Sequence, residues 1–325
     1  MNPASDAAGG RRRGAPPSAA GVPTPGGVAS TAGLPKDRTR RKDHSMKKIP
    51  FWKMSGSGND FILIDNRRGA LSAFKGRRLN RFAATVCTHR LSVGGDGLIL
   101  IERPARPREA RFRWRLFNAD GTEAELSGNG GRCAARFAYL RKIAPSKMVF
   151  ETLAGPIRAE IRGTNVKIQM PTPQSLQLDV KIPVRDQTYV GHFLNTGVPH
   201  TVLFVDDPAA AEVVPLGRAI RHHELFQPAG TNVNFATIQS PRLVRMRTYE
   251  RGVEDETLAC GTGAVATALI AGALGQGASP MTLRQQSGMV LRVYYRWDGR
   301  QFSDVFLEGD ARVVYTGEMG DETLF

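Results

Sequence analysis

The feature that most constrains this chain is a nine-residue segment that occurs twice. Ser127-Gly-Asn-Gly-Gly-Arg-Cys-Ala-Ala aligns with Cys260-Gly-Thr-Gly-Ala-Val-Ala-Thr-Ala, which begins 133 residues later. Each copy follows acidic residues and a leucine, and each leads into an alanine-rich run that favours helix and permits burial on all sides. Repetition at this distance predicts two duplicated lobes, each with one central helix whose N-terminal end faces a shared cleft.

Around these two helices the chain alternates short β-branched segments with turns, which is typical of antiparallel sheet. We predict helices over residues 130–141 and 261–274, and a strand on each side of a Gly-Ser turn within residues 46–65. Further predicted strands include residues 149–152, 165–170, 201–206, 242–250 and 289–296. The expected fold is α+β, with two pseudo-symmetric lobes, each a curled, mainly antiparallel sheet around a central α-helix.

The first 45 residues differ from the rest of the chain. They contain 7 Gly and 6 Pro but almost no large apolar side chains, so we predict a disordered, basic extension over residues 1–45. Both Met1 and Met46 are candidates for the natural start. Residues 46–170 are predicted to form the N-terminal lobe, completed by a C-terminal strand within residues 311–325, and residues 171–310 to form the C-terminal lobe.

Composition argues against several classes of partner. The net charge is +15, but the +10 outside the extension forms no basic stripe with interleaved aromatic residues, so no nucleic-acid partner is predicted. No apolar run approaches the roughly 18 residues of a membrane helix, and a secretory apolar block is missing, so we predict a cytoplasmic protein without a membrane partner. Three cysteines without a CxxC pair or a His/Cys cluster predict neither a disulfide nor a metal site.

The helix start at Cys260 is predicted to carry chemistry. A helix N-terminus offers unpaired N–H groups and a partial positive charge, so it binds carboxylates and lowers the pKa of a thiol placed there. We therefore expect the Cys260 thiolate to be favoured relative to a free thiol and to act as a base. Cys133 lies within a predicted helix and Cys87 in another apolar, helical stretch, so both are predicted to be structural.

Four segments, in order along the chain, resemble the diaminopimelate epimerase family. They are SGSGNDF at 55–61, FNADGTEAELSGNGGRC at 117–133, GTNVNF at 230–235 and YERGVEDETLACGTGA at 249–264. The resemblance extends over residues 46–325 and implies that family's fold, its small-molecule substrate and a homodimer. It also implies an enzyme without cofactor or metal, in which two cysteines, one per lobe, exchange the proton of the substrate's α-carbon from opposite faces.

The resemblance also assigns roles to individual residues. It makes Cys260 the proton acceptor and places Ser127 where the family has its proton-donating cysteine. The residues that it implies for the α-carboxylate are Gly128, Asn129, Gly261 and Thr262. Those implied for the amino and distal carboxylate groups are Asn59, Asn118, Asn232 and Arg251, and those that tune the catalytic pair are His200 and Glu250, of which Glu250 also contacts substrate. These types suit the task, because Arg grips a carboxylate bidentately and Asn both donates and accepts.

Two positions depart from the family pattern. A serine hydroxyl is a weaker acid than a thiol, so reprotonation falls to Ser127, to a water relayed by it, or to Cys260 again. Val198 stands where the family usually has a substrate-contacting asparagine, and Asn195 is the neighbouring residue that offers an amide instead. Three functions therefore stay open: a diaminopimelate epimerase of lysine and peptidoglycan precursor synthesis, a single-thiol dehydratase or isomerase of another amino or hydroxy acid, and a non-catalytic binding relative.

Overall fold

The computed structural model describes residues 48–324, so the predicted extension over 1–45 lies outside the described residues. The strands of the N-terminal half are β1 (Ile49–Gly56), β2 (Asn59–Asp65), β3 (Gly97–Glu102), β4 (Arg113–Asn118), β5 (Glu123–Ala124), β6 (Lys147–Thr152), β7 (Gly155–Arg162), β8 (Asn165–Gln169) and β9 (Gln174–Val184). Those of the C-terminal half are β10 (Gln187–Asn195), β11 (Pro199–Phe204), β12 (Asn232–Ser240), β13 (Leu243–Glu250), β14 (Asp255–Thr257), β15 (Met281–Arg284), β16 (Val290–Trp297), β17 (Phe302–Asp310) and β18 (Arg312–Met319). The helices are α1 (Arg77–Cys87), α2 (Gly128–Leu140), α3 (Val213–Arg221) and α4 (Gly261–Ala273).

The pairing of the strands repeats itself after nine strands. β1–β2, β3–β4, β6–β7 and β7–β8 are antiparallel, and so are their counterparts β10–β11, β12–β13, β15–β16 and β16–β17. The parallel pairs repeat as well, with β2–β3 and β4–β6 matched by β11–β12 and β13–β15. Each lobe also has one helix within its strand order before the central helix. The predicted α+β fold of two pseudo-symmetric lobes is confirmed.

Three strand pairs connect the two halves of the chain, because β9 of the first half also pairs with β10 of the second in antiparallel register. β8 pairs with β17 in antiparallel register, with Ile168 opposite Leu307. The last strand, β18, pairs with β1 and so returns the chain to the first lobe. Leu307 of β17, in the pair with β8, lies next to both Gly128 and Gly261, where the two central helices start.

The central helices α2 and α4 are buried; the side chains of α4 are mostly small and apolar, whereas α2 also buries Asn129 and Arg132. Every residue from 263 to 271 in α4 is buried, and α2 is buried from 128 to 135. The helix predicted from residue 130 begins two residues earlier, since the Ser127 hydroxyl accepts a hydrogen bond from the Gly130 N–H at 3.1 Å and caps the first turn. Both helix predictions are otherwise confirmed.

The outer helices α1 and α3 each pack one apolar face on the sheet. Phe82 and Val86 of α1 join a second buried cluster, while Ile220 of α3 joins a third one with Phe235. Helix α3 was not predicted from the sequence. Cys87 and Cys133 are 2% and 0% exposed, and burial raises the pKa of each thiol to about 12, as expected for structural cysteines. Among residues 48–324, no helix has the length and apolar character needed to cross a membrane.

Candidate active site

The two predicted helix starts have the same local geometry. Ser127 and Cys260 both have extended backbone conformations and occupy the N-cap positions of α2 and α4. The Cys260 Sγ accepts a hydrogen bond from the Gly263 N–H at 3.4 Å, just as the Ser127 Oγ accepts one from Gly130. The hydroxyl of Ser127 therefore occupies the structural position in the first lobe that the thiol of Cys260 occupies in the second.

The helix starts meet across a single methyl group. A β-carbon added at Gly128 would lie 3.2 Å from Leu307 Cδ2, and one added at Gly261 would lie 3.1 Å from the same atom. The Gly261 position is also 3.5 Å from Asn129 Oδ1, which belongs to the other lobe. The predicted meeting of the two helix N-termini is thus present in the structure, with Leu307 of β17 between them.

Two asparagines predicted to bind substrate contact each other. Asn129 Nδ2 donates to Asn59 Oδ1 at 2.6 Å, and Asn59 Nδ2 donates to Asp96 Oδ2 at 3.0 Å. Asp96 also accepts the Asp60 N–H at 3.0 Å. The bonds fix which way each amide points, and each asparagine keeps one N–H hydrogen and further acceptor capacity for a ligand.

Arg132 anchors this network from behind. It is fully buried, and its Nη2 donates to Asn129 Oδ1 at 2.6 Å and to Ser57 Oγ at 2.8 Å. Asp310 accepts the Ser57 hydroxyl at 2.8 Å, and the Arg132 Nε donates to the Asp310 backbone carbonyl at 3.3 Å. Burial lowers the pKa of Arg132 to about 10, yet the guanidinium remains charged at neutral pH. A buried cation thus orients Asn129 at the start of α2.

Asn118 lies at the end of β4 and is exposed. Its Nδ2 donates to Thr122 Oγ1 at 3.0 Å, and its backbone pairs with Gly97, next to Asp96. It therefore lies near the Asn59 network without a direct bond to it among the hydrogen bonds of the described chain.

The electrostatics of Cys260 differ from the sequence prediction. Its side chain is buried, with 5% exposure, and burial raises the pKa of the thiol to about 12, with the nearby negative charge of Glu250 acting in the same direction. The Thr262 hydroxyl, 3.6 Å from Sγ, and the Gly263 N–H oppose this rise without cancelling it. The expected lowering of the pKa by the helix N-terminus is therefore wrong for the protein without ligand, because desolvation outweighs the helix dipole.

Glu250 links the electrostatics of the two lobes. Burial raises the pKa of its carboxyl group, and the negative charge of Asp96 from the first lobe raises it further. A carboxyl group with a raised pKa accepts a proton more readily than an exposed one. Glu250 also lies close enough to Cys260 for its negative charge to raise the pKa of the thiol.

His200 is a neutral hydrogen-bond donor. The Asn234 amide is oriented by its bonds to the Thr248 hydroxyl at 2.9 Å and the Thr201 carbonyl at 3.0 Å, so its Nδ2 faces His200 Nδ1 at 3.2 Å. Nδ1 must then accept, which places the ring proton on Nε2. Burial lowers the pKa of His200 to about 3, and the positive charge of Arg251 adds to this effect. The Nε2–H has no hydrogen-bond partner within residues 48–324.

Asn232 and Arg251, which the sequence predicts to bind substrate, are hydrogen-bonded to each other. The Asn232 side chain donates to the Pro199 carbonyl at 2.8 Å and accepts the Arg251 N–H at 2.8 Å. The Arg251 guanidinium donates to the Ala229 carbonyl at 2.9 Å and has further N–H groups for a carboxylate. Thr262 is bonded to the turn between β10 and β11, because its backbone carbonyl accepts a hydrogen bond from the Thr196 hydroxyl at 3.3 Å.

Val198, the second departure from the family pattern, and its neighbour Asn195 lie at the same turn. The Asn195 Oδ1 accepts the Gly197 N–H at 3.0 Å, so this oxygen is used to cap the turn between β10 and β11. The Val198 carbonyl accepts the Thr196 N–H at 3.1 Å. The amide nitrogen of Asn195 can still donate, and this is the kind of hydrogen bond that a valine at position 198 cannot supply.

Several residues of the site were missed in the sequence. Asp96 stands in a Gly-Gly-Asp-Gly segment, a signal of a tight loop that was available but not used. Asn234 lies in the GTNVNF segment but was given no role there. Leu307 and Gln285 carry no sequence signal, because only the pairing of distant strands brings them to the helix starts. Within the described part of the chain, no group of His, Cys, Asp and Glu side chains is arranged to hold a metal ion.

The chain is similar in sequence to proteins of one known family. The family model described as diaminopimelate epimerase matches residues 51–176 and 192–313. The diaminopimelate epimerase of Aquifex aeolicus is 47% identical over 282 residues, which cover 85% of this chain and 99% of the relative. That of Hydrogenobaculum is 47% identical over 279 residues, which cover 83% of this chain and 98% of the relative.

Solved structures share the fold at low sequence identity. A hydroxyproline epimerase from Agrobacterium vitis has a TM-score of 0.63 and 16% identity, with 85% of this chain and 93% of that one covered. A Bacillus anthracis protein of the PhzF family has a TM-score of 0.61 and 15% identity, with 84% and 99% covered. From its matched segments and its relatives, the chain belongs to the diaminopimelate epimerase family.

Proposed function

We propose that this protein interconverts LL- and meso-diaminopimelate by removing and returning the proton on the α-carbon, without cofactor or metal. The observation that carries the proposal is the opposition of two capped helix starts, at Ser127 and Cys260, across Leu307. Two N-termini that face one point bind a carboxylate with their free N–H groups and favour negative charge there. The same arrangement puts one proton-transfer group on each side of the bound carbon.

The N–H groups at Gly128, Asn129, Gly261 and Thr262 hold the α-carboxylate in this proposal. Arg251 binds the distal carboxylate, while Asn59, Asn118 and Asn232 orient the substrate and its amino group. Glu250 serves the ammonium group as well as Cys260, because a carboxylate accepts hydrogen bonds from an ammonium. The neutral His200 donates its Nε2–H toward the bound anion and does not act as an acid or base at neutral pH.

Cys260 takes the α-proton in the proposed step. Because the pKa of its thiol is raised, the bound substrate must supply a positive charge that favours the thiolate. In this proposal the thiol first loses its proton to Glu250, whose charge acts on it, and the bound ammonium group then favours the thiolate by its positive charge. The α C–H bond breaks as an S–H bond forms. On the opposite face a new C–H bond forms as an O–H bond of Ser127, or of a water that it holds, breaks. The alkoxide or hydroxide that is left then takes a proton from solvent.

Isotope exchange tests the proposal directly. LL- and meso-diaminopimelate are incubated separately with the enzyme in D2O, and inversion is followed by chiral chromatography while α-deuterium is measured by NMR. We expect inversion with solvent deuterium in the product. Exchange from one isomer without inversion, or neither reaction, would contradict epimerisation and favour a single-thiol enzyme of another outcome or a binding protein. The homodimer and the cytoplasmic location stay predictions, the former testable by light scattering.

A further inference from the structure

The side chain of Gln285 carries a buried amide nitrogen that the protein does not use. Gln285 lies just after β15, in the turn to β16, and 5% of it is exposed. Its Nε2 has no hydrogen-bond partner among residues 48–324. Native proteins pair nearly all buried donors, so an unpaired amide beside an active site indicates an acceptor that arrives with a ligand.

The other end of the same amide fixes where this nitrogen lies. Gln285 Oε1 accepts the backbone N–H of Cys260 at 3.2 Å. A backbone N–H only donates, so the bond determines which amide atom faces Cys260 and leaves the NH2 group as the free end. Oε1 and Nε2 share one carbon atom. The free donor therefore lies beside the start of α4, where the proposed base is.

The turn that carries Gln285 is held against both lobes. The Gln285 N–H donates to the Met289 carbonyl at 2.9 Å, and the Ser287 N–H donates to the Leu258 carbonyl at 3.2 Å, just before Cys260. On the other side, a β-carbon at Gly58 in the β1–β2 turn would lie 2.9 Å from Met289 Cε. The turn that carries the amide therefore contacts the β1–β2 turn of the first lobe and is held in place by backbone hydrogen bonds.

A second buried donor without a partner among residues 48–324 belongs to His200, whose hydrogen-bond partner Asn234 contacts α4. The buried His200 Nε2–H is also without a partner in the described chain, and Asn234, which orients His200, packs against Gly263 of α4. Buried N–H groups without partners and a helix N-terminus are the kinds of donor that bind an anion.

We propose that Gln285 is a substrate-binding residue whose Nε2–H donates a hydrogen bond to a carboxylate oxygen of the bound amino acid. The inference rests on the proposed function, since it concerns the same site and substrate. The Oε1 stays on the Cys260 N–H at the same time. One amide then joins the carboxylate to the backbone of the base and sets their relative position.

The dissociation constant of meso-diaminopimelate tests this role. Isothermal titration is performed on the Cys260→Ala protein, which does not turn over, and on the same protein with Gln285→Met. Loss of a hydrogen bond to a charged acceptor is expected to raise Kd about tenfold or more. Gln286→Met, an exposed glutamine in the same turn, is the matched control and is expected to leave Kd within about twofold.

A second variant covers the case in which Gln285→Met does not fold. Gln285→Glu keeps an oxygen for the Cys260 N–H, but once ionised it has no proton to donate and repels a carboxylate. Its Kd is expected to rise as pH increases through the pKa of the new carboxyl group, whereas Gln286→Glu is expected to show no such rise.

Equal Kd values for the position 285 and position 286 variants would overturn the inference. Failure of the proposed function is a separate result, because it appears in the wild-type protein as an absence of diaminopimelate turnover. If Cys260→Ala does not bind diaminopimelate while the wild-type protein turns it over, KM replaces Kd as the measure. Gln285→Met is then expected to raise KM about tenfold relative to Gln286→Met, and an unchanged ratio overturns the inference.

Discussion

Gly128 and Gly261 begin the two central helices and abut the same methyl group, Leu307 Cδ2, from opposite lobes. A β-carbon added at Gly128 would lie 3.2 Å from that methyl carbon, and one added at Gly261 would lie 3.1 Å from it. Both distances are shorter than most contacts that β-carbons make in proteins. The separation of the two helix starts, and hence the width of the proposed site, therefore depends on the absence of two β-carbons and the presence of one leucine.

This contact predicts a compensating pair of substitutions. Gly261→Ala is expected to lower the free energy of unfolding by about 1–3 kcal/mol, because the added methyl overpacks against Leu307. In a Leu307→Val background the same change is expected to cost less, so a double-mutant cycle by urea unfolding gives a coupling of at least about 0.5 kcal/mol. Gly320→Ala, where no atom lies within 4 Å of the new β-carbon, is the control. Additive effects would show that the methyl does not separate the helices.

The serine at the first helix start predicts a gain of function. Ser127→Cys restores a thiol that is able to cap α2 as Cys260 caps α4, and a thiol donates a proton more readily than a hydroxyl. We expect the rate of inversion in D2O to rise about tenfold or more, within the range that general acids contribute. Ser127→Ala, which removes both the cap and the proton, is expected to slow inversion and to lower stability by about 1 kcal/mol. An unchanged rate in Ser127→Cys would show that Ser127 does not deliver the proton.

The buried cation behind the first helix start predicts a loss of both stability and activity. Arg132→Met leaves Ser57, Asn129 and Asp310 without their shared partner, and breaking a buried charged network typically costs about 3–5 kcal/mol. Thermal unfolding checks the stability, and steady-state kinetics check whether Asn129 loses its orientation. Arg78→Met, on the exposed face of α1, is the control, for which we expect little change. A fully active Arg132→Met protein would contradict the assigned role.

The repeat alone predicted much of the fold, because duplication of a helix start implies duplication of the lobe around it. It identified α2 and α4 but not α3, whose apolar face is short. The site was predicted less completely, for a physical reason. Asn59 and Asn129 were each treated as substrate ligands, whereas they also bond to each other across 70 residues. Such contacts depend on β-sheet pairing between distant segments, which local sequence patterns do not contain.

His200 predicts a pH dependence of stability. Its pKa in the folded protein is about 3, below the value of about 6.5 in an unfolded chain, so the unfolded state binds more protons between these two pH values. Stability is therefore retained above about pH 6.5 and decreases as pH falls towards 3. His200→Asn, whose Oδ1 also accepts from Asn234, is expected to reduce the loss between about pH 7 and pH 5 by about 2 kcal/mol. The free energy of unfolding is measured by urea titration at each pH. If it decreases equally with falling pH in both proteins, His200 is not buried in the neutral form.

The final prediction concerns the pKa of the Cys260 thiol, which a helix N-terminus lowers and burial raises. A helix start alone lowers a thiol pKa, but desolvation and Glu250 raise that of Cys260 to about 12 in the protein without ligand. We expect the rate of alkylation of Cys260 by iodoacetamide, followed by mass spectrometry of its peptide, to keep rising above about pH 9. Glu250→Gln removes the negative charge and is expected to move the rise to lower pH. At the same time it slows turnover, because the proton acceptor is lost.

Site-resolved mass spectrometry separates this effect from general opening of the protein. Cys133 is fully buried, and its pKa is also raised to about 12 by burial, but Glu250 is not among the charges that act on it. Its alkylation profile is therefore expected to be the same in the wild-type and Glu250→Gln proteins. A Cys260 profile that levels off near pH 7 in the wild-type protein would mean that the helix N-terminus outweighs burial. In that case the thiolate exists before substrate binds, and the ammonium group is not needed to favour it.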